Sequence, residues 1–201
     1  MIGGGLSTVR RLLVVGMAVM LAGCAGMMAE KESPAPVTAE ATLKDKDGKQ
    51  VGVATLIQQP DGVRVALTGY RLPPGDKGLH IHAVGVCQPP DFTSSGAHFN
   101  PAGKKHGLES PEGPHAGDLP NLKVAANGEG GIDYVNKLIT LGPGPNSILG
   151  ENGTAIIVHA GPDDMKTDPT GNSGGRIACG VITPTPADPG FDARPAPRTG
   201  Y

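Results

Sequence analysis

Short apolar runs alternate with turn residues through the middle of this chain. Within most runs apolar and polar positions alternate, as they do in a strand with one buried face. Asp47-Gly48 and Asn127-Gly128 lie between such runs, and these dipeptides favour tight hairpin turns. The pattern predicts about eight strands and no helix. The predicted strands are Ala39–Leu43, Val51–Gln58, Val63–Thr68, Leu79–Val84, Leu122–Ala126, Gly131–Tyr134, Thr154–His159 and Arg176–Ile182.

Two long stretches, Gly85–Pro120 and Gly161–Gly175, have no strand pattern. Loops of this length are uncommon inside a compact domain unless they serve a function. Many short strands separated by turns are typical of a sandwich or barrel. We therefore expect an all-β fold, an eight-stranded Greek-key β-sandwich or barrel of the immunoglobulin-like kind, with two long functional loops.

The start of the chain is typical of an export signal rather than of a folded element. Arg10-Arg11 is a positive segment, and Leu12–Leu21 is an apolar run too short to span a membrane. The sequence L-A-G-C then ends at Cys24. It resembles the bacterial lipobox, which implies that Cys24 is lipidated and becomes the new N-terminus. Plain secretory cleavage is the alternative.

These features divide the chain into four segments. We expect a lipoprotein signal peptide at 1–23, a flexible tether at 24–37, the folded domain at 38–183 and a proline-rich disordered tail at 184–201. The protein would be exported and lipid-anchored in the cell envelope, on its periplasmic face or at the cell surface. The membrane would be a partner through that anchor.

Composition narrows the classes of function. The 32 glycines and 20 prolines suggest disorder only when they lack a pattern, and here they lie mostly in turns and loops. The formal net charge is −2 and there is no basic stripe with interleaved aromatics, so we expect no nucleic-acid partner. Export leaves Cys87 and Cys179 as a pair in an oxidising compartment, where a disulfide is the default. Two metal-binding thiolates are the alternative.

All six histidines lie between positions 80 and 159. Imidazole is the commonest metal ligand and suits both copper and zinc. His80 and His82 are two residues apart on a predicted strand, so they face the same side and can bind one metal. An ordinary surface pair is the alternative. Three loop histidines and a carboxylate make a plausible tetrahedral zinc set. The remaining candidates are His98, His106, His115, Asp118 and His159.

Four motifs resemble those of the copper, zinc superoxide dismutases. G-L-H-I-H-A-V-G at 78–85 is similar to the copper-ligand signature, and S-G-A-H-F-N-P at 95–101 to the stretch with the bridging histidine. G-P-H-A-G-D-L-P-N at 113–121 resembles the zinc-ligand segment, and G-G-R-I-A-C-G-V-I at 174–182 the C-terminal signature. The motifs come in the family's order, and the similarity extends over about residues 39–182.

The resemblance implies one copper ion and one zinc ion per subunit, joined by a shared histidine. Copper would be bound by histidine alone, through His80, His82, His98 and His159. Zinc would be bound by a mixed set, His98, His106, His115 and Asp118.

The resemblance also implies roles for residues that bind neither metal. Asp163 would link a copper ligand to a zinc ligand, and Arg176 would lie beside the open copper position. Cys87 and Cys179 would form the family's disulfide. A solvated turn aspartate and a strand-edge surface charge are the alternative interpretations of Asp163 and Arg176.

The implied activity is superoxide dismutation, an oxidoreductase reaction that gives dioxygen and hydrogen peroxide. Arg176 would hold the anion by a charge-assisted hydrogen bond, and His98 would supply a proton. Lys104 and Lys105 are candidates for attracting superoxide, or else ordinary solvated charges. The enzyme would protect the bacterial envelope, and a homodimer is possible. The alternatives are a non-catalytic copper-binding or delivery protein on the same fold, and a structural envelope lipoprotein with a vestigial site.

Overall fold

The computed structural model describes Met1 and residues 37–185. The predicted signal peptide, the lipidation at Cys24 and the tether up to residue 36 lie outside this part, as does the chain after residue 185. Within the described residues, no helix has the length and apolar character needed to cross a membrane.

Ten strands and one short 3-10 turn, Thr93–Ser95, form between residues 37 and 185. We number the strands in chain order. They are β1 (Thr38–Asp45), β2 (Gln50–Gln59), β3 (Gly62–Gly69), β4 (Gly75–Lys77), β5 (Leu79–His82), β6 (Leu122–Val124), β7 (Gly130–Asn136), β8 (Ala155–His159), β9 (Arg176–Val181) and β10 (Thr183–Thr185).

The strands form one antiparallel sheet that nearly closes into a barrel. Hydrogen bonds connect them in the order β4-β6-β7-β3-β2-β1-β9-β8-β5, and β10 pairs with β1. The two ends of this order, β4 and β5, are separated in the chain by Gly78 alone. One continuous segment therefore lies at both ends of the sheet and brings them together. The expected all-β class is confirmed.

Two of the ten strands were not predicted from the sequence. β4 lies between the predicted strands Val63–Thr68 and Leu79–Val84, and its three residues, G-D-K, show no apolar alternation. β10 contains Pro184 and Thr185, which we placed in the disordered tail. Pro184 lies opposite Ala39 on a strand that pairs with β1 alone, where a missing N–H is tolerated. The folded part thus extends two residues beyond its predicted end.

The core is made of aliphatic side chains that point inward from alternate positions. On β1, Ala39, Ala41 and Leu43 are almost completely buried, while the residues between them are exposed. β5 and β8 differ, because every residue of both strands is buried. A strand that is covered on both faces keeps its polar side chains from water, and β5 and β8 are the strands that contain three of the histidines.

The first long loop, residues 83–121, covers β5. Ile81 donates its N–H to the Gly117 carbonyl and accepts one from Phe99, both at 2.8 Å. A Cβ on Gly117 would overlap the Ile81 carbonyl, so only glycine allows this close approach. The pairing brings two loop residues next to the strand histidines: His80 faces Asp118, and His82 faces His98.

A disulfide between Cys87 and Cys179 joins the same loop to β9, as predicted, with 5.7 Å between the Cα atoms. The pair packs with Phe92, Ala155 and Ile157 in a small second core. The disulfide therefore fixes one end of the loop to the strand that begins with Arg176.

Replacing both cysteines by serine is expected to lower the free energy of unfolding by about 2–5 kcal/mol, because the bond closes a long loop. The two cysteines are 92 residues apart in the chain. Urea unfolding of the variant and of the wild type, with and without reductant, measures the change. The reduced wild type should match the variant. An oxidised wild type no more stable than the variant would contradict the expectation.

Candidate metal centre

Four histidines each direct one ring nitrogen toward the same small region of the interior. We call His80, His82, His98 and His159 the four-histidine cluster. Their ligand atoms lie within 4.8 Å of one another. Nδ1 of His80 and Nε2 of the other three are buried and have no hydrogen-bond partner in residues 37–185. A buried polar atom without a partner costs about 1–3 kcal/mol. Four such atoms facing one another fit a metal ion that binds them all.

Hydrogen bonds to backbone carbonyls orient two of these rings. Nδ1–H of His82 donates to the Gly96 carbonyl at 2.8 Å, and Nδ1–H of His159 donates to the Gly174 carbonyl at 3.0 Å. With its proton on Nδ1, each ring has a free lone pair on Nε2, which is the form that binds a metal.

His159 reaches the cluster because β8 is irregular at its end. The register between β8 and β9 shifts between Val158 and His159, where the next pair is His159 with Arg176. An irregularity of this kind bends a strand and re-aims its side chains. The backbone N–H of His159 also bonds to the Gly78 carbonyl at 2.8 Å, directly before β5.

A second cluster lies next to the first and contains His98, His106, His115 and Asp118. We call it the histidine–aspartate cluster. Oδ1 of Asp118 lies 3.0, 3.1 and 3.4 Å from the Nδ1 atoms of His98, His106 and His115, respectively. Oδ2 accepts N–H bonds from Gly107 and His115 at 2.8 and 2.9 Å. These bonds leave Oδ1 to act as a ligand.

His98 belongs to both clusters, with Nε2 in the first and Nδ1 in the second. The ligand atoms of His80 also come within 4.8 Å of those of His98, His106 and Asp118. We place His80 in the first cluster, because its Nε2 is bonded elsewhere and its Nδ1 has no partner among the described residues. His115 belongs to the second, since its Nδ1 lies 3.3 Å from Nδ1 of His98.

Asp163 of the second long loop, residues 160–175, links the two clusters. Its Oδ2 bonds to Nε2 of His80 at 2.6 Å, and its Oδ1 bonds to Nε2 of His106 at 3.0 Å. The carboxylate is completely shielded from solvent. A carboxylate on the outer nitrogen of a ligand histidine fixes its tautomer and orientation. This is the geometry that the resemblance implied.

Asn121 and Gly171 were missed by sequence reasoning, although both act on Asp163. The Asn121 side chain donates to the Asp163 carbonyl at 2.8 Å and accepts from its N–H at 2.9 Å. Gly171 has a φ of 62°, and a Cβ there would overlap the Asp163 carboxylate. Asn121 ends the third family motif, a signal that could have drawn attention to it. No local pattern distinguishes Gly171 from the other loop glycines.

Arg176 lies at the cleft through which the four-histidine cluster is reached. The cleft has a volume of about 650 Å³, and Arg176 lines it together with His82, His98 and His159. Its Nη1 donates to the Phe92 carbonyl at 2.7 Å. Further bonds run from Nη1 to Ser95 Oγ at 3.0 Å and from Nη2 to the Gly96 carbonyl at 2.7 Å. The loop that the disulfide anchors therefore also positions the guanidinium.

The histidines of the two clusters differ in protonation. Burial lowers the pKa of His80 to about 3, of His82 to about 2 and of His159 to about 4, so these rings are neutral at neutral pH. Burial also lowers the pKa of His106, but hydrogen bonds to Asp118 and Asp163 outweigh it and raise the pKa to about 9.

The metal-free protein is therefore expected to lose stability as the pH falls from about 7 to about 5. The unfolded chain binds protons on these histidines below their ordinary pKa of about 6.5, whereas the folded one excludes them. Each of His80, His82 and His159 then destabilises the fold by about 2 kcal/mol at about pH 5. His106 acts in the opposite direction, because its folded-state pKa is raised, but its stabilising contribution is already largely present at pH 7 and offsets only a small part of the loss. Urea unfolding of chelator-treated protein at the two pH values measures the effect. Equal stability at both would contradict it.

Together, the barrel and the paired clusters define a class of β-barrel protein with two adjacent groups of side chains that could each hold a metal ion. Residues 50–182 match the family model described as copper/zinc superoxide dismutase. The chain belongs to the copper, zinc superoxide dismutase family.

Individual relatives agree with this assignment. The chain is 49% identical to copper–zinc superoxide dismutase 1 of Aquifex aeolicus over 144 residues, which are 71% of this chain and 85% of the relative. It is 42% identical over 148 residues to the copper–zinc superoxide dismutase of Caulobacter vibrioides, 72% of this chain and 85% of the relative. A solved double mutant of a superoxide-dismutase-like protein from Bacillus subtilis matches with a TM-score of 0.68 and 42% identity, covering 71% and 95% of the two chains.

Membership of the family makes the protein an oxidoreductase that acts on superoxide and uses copper and zinc. The structure brings all seven predicted ligands together, with Asp163 and Arg176 beside them. Which residues bind which metal stays a prediction.

Proposed function

We propose that this chain dismutates superoxide with copper in the four-histidine cluster and zinc in the histidine–aspartate cluster, bridged by His98. The observation that carries the assignment is the group of four buried imidazole nitrogens without a partner. A set of imidazoles suits Cu(II), and three imidazoles with one carboxylate suit zinc.

Bound copper would supply one-electron redox chemistry, and zinc a fixed positive charge. Overall, two superoxide anions and two protons give one dioxygen and one hydrogen peroxide. Arg176 binds the anion: its guanidinium has five N–H groups, and three are used on Phe92, Ser95 and Gly96. The others are free to donate a charge-assisted hydrogen bond in the cleft.

His98 is the residue placed to move a proton. Its Nε2 has no partner within the part of the chain that the structure describes, and the ring lines the same cleft as Arg176. Its Nδ1 is oriented by Asp118 at 3.0 Å, so the ring keeps its position while Nε2 holds or releases a proton. A proton on Nε2 would pass to a reduced oxygen species bound at Arg176.

Superoxide decay in the presence of the purified, copper- and zinc-loaded protein tests this function. We expect catalysis far above that of the same concentration of free copper, with inhibition by cyanide, a copper ligand. A rate equal to that of free copper would instead support a copper-binding or delivery protein on this fold. The presence of all the predicted copper and zinc ligands in this chain argues against that alternative. In the Bacillus subtilis relative, by contrast, two histidines were introduced by mutation in the solved double mutant.

The lipid anchor and the envelope location are part of the same proposal. They are supported by the L-A-G-C sequence that ends at Cys24 and by the apolar run before it. Metabolic labelling with a radioactive fatty acid should mark the wild type and not Cys24→Ala, which should also leave the membrane fraction. Equal labelling of both proteins would contradict lipidation. A homodimer stays a prediction, to be checked by sedimentation.

A further inference from the structure

The second long loop brings a further carboxylate, Asp168, to the first loop. Its Oδ1 accepts the backbone N–H of His106 at 2.9 Å and lies 3.7 Å from Nε2 of His115. Its Oδ2 accepts a bond from Nζ of Lys105 at 3.0 Å. Asp168 thus contacts both histidines that belong to the histidine–aspartate cluster alone.

We propose that Asp168 is a positioning residue for the zinc site and that Lys105 masks its charge from the anionic substrate. The inference rests on the assignment of zinc to the histidine–aspartate cluster. Neither residue had a firm role in the sequence analysis, where Lys105 was a candidate for attracting superoxide.

The positioning role follows from the orientation of His115. Its Nδ1 faces the cluster, 3.4 Å from Oδ1 of Asp118, so Nε2 is the outer nitrogen and carries the proton. Asp168 is the carboxylate on that side. At 3.7 Å the contact is longer than a hydrogen bond, so the attraction is electrostatic. The direct bond to the His106 backbone N–H holds the Asp168 carboxylate in place, while Asp163 bonds to Nε2 of the His106 ring.

The masking role follows from the location of the pair. Lys105 and Asp168 line the same cleft as Arg176. The carboxylate accepts bonds from the backbone N–H of His106 and from the Lys105 ammonium, as an ionised aspartate does. A negative charge in a cleft that admits an anion slows association, and an adjacent ammonium cancels it.

Folding stability does not explain the pair. The Lys105 and Asp168 side chains are 57% and 38% exposed, and exposed ion pairs contribute about 0–1 kcal/mol. A comparison pair exists elsewhere on the barrel, where Lys137 lies 3.6 Å from Asp61 and both side chains are exposed. Substitutions in that pair control for the loss of a surface charge.

Zinc affinity tests the positioning role. Full-length wild type, Asp168→Ala, Asp168→Asn and Asp61→Ala are titrated with Zn²⁺ against a chromophoric chelator, and with Co²⁺ as a spectroscopic probe. We expect Asp168→Ala to weaken Zn²⁺ binding by about 10–100-fold, the range for loss of an outer partner, and to shift the Co²⁺ bands. Asp168→Asn keeps an acceptor for His106 and should be intermediate. Asp61→Ala should match the wild type.

The outcomes separate this inference from the zinc assignment on which it rests. If Asp168→Ala binds Zn²⁺ as tightly as Asp61→Ala does, the positioning role is wrong. If the wild type itself shows no histidine-type Co²⁺ spectrum, the zinc assignment fails instead.

Association kinetics test the masking role. In Lys105→Met the Asp168 charge is exposed, so kcat/KM for superoxide should fall by about threefold at low salt and by less at high salt. Adding Asp168→Asn should restore most of the loss, and Lys137→Met should have no effect. A Lys105→Met loss that Asp168→Asn does not restore would show that Lys105 attracts superoxide itself. No loss at all would equally overturn masking.

Discussion

His159→Ala is expected to abolish superoxide dismutation. His159 contributes one of the four unpartnered nitrogens of the four-histidine cluster, and its ring also lines the cleft. Loss of an outer partner lowers metal affinity by about 10–100-fold. Removal of a direct ligand should lower copper affinity by more than that. The variant should still fold, since the backbone bond from His159 to Gly78 does not involve the side chain.

His115→Ala is the matched control, because His115 belongs to the histidine–aspartate cluster alone. Copper and zinc are titrated into both variants, and superoxide decay is followed in each. His159→Ala should lose copper binding and keep zinc binding, and His115→Ala should show the reverse. Wild-type activity in His159→Ala would overturn the copper assignment, and loss of both metals in both variants would show that the substitutions act through folding.

The second large effect is expected from Gly171→Ala, which adds one methyl group in the second long loop. Gly171 has a φ of 62°, where any other residue is strained by about 1–2 kcal/mol. The added Cβ would also overlap the Asp163 carboxylate and lie 2.6 Å from Nε2 of His106. Asp163 must then move away from His80 or His106, and the link between the clusters breaks.

We expect Gly171→Ala to lower the free energy of unfolding by several kcal/mol and zinc affinity by at least about 10–100-fold. Gly48→Ala is the control, because Gly48 has a φ of 78° and nothing lies within 4 Å of the added Cβ. Thermal unfolding and Zn²⁺ titration of both variants separate backbone strain from the clash. Equal effects in the two variants would show that contact with Asp163 is unimportant.

Alternation predicted much of the barrel, because one face of a strand such as β1 is buried and the other is exposed. It failed for β4 and β10, which are three residues long and too polar to show a period. These strands form because their neighbours, β6 and β1, offer free edges to pair with. The local sequence of β4 and β10 does not show that such an edge is available.

In the candidate site, too, some residues could be predicted from the sequence and others could not. The ligands could be named from the spacing of the histidines and from motif resemblance, because each motif is continuous in sequence. The roles of Asn121 and Asp168 could not be predicted in this way, since they depend on contacts with residues 42 and 62 positions away. Both contacts join two irregular loops, where no period constrains the side chains. Only the folded chain shows which carboxylate faces which histidine.

The pairing of β10 with β1 has a consequence for attaching other molecules to this enzyme. Thr38 lies opposite Thr185, so the first and last residues of the sheet lie side by side. The other end of β1, at Asp45, pairs with Ala178 beside the start of β9. β1 is eight residues long, so its Thr38 end and its Asp45 end are about 20 Å apart. A fusion partner, a solid support or a linker that joins the two ends would therefore leave the substrate entrance unobstructed.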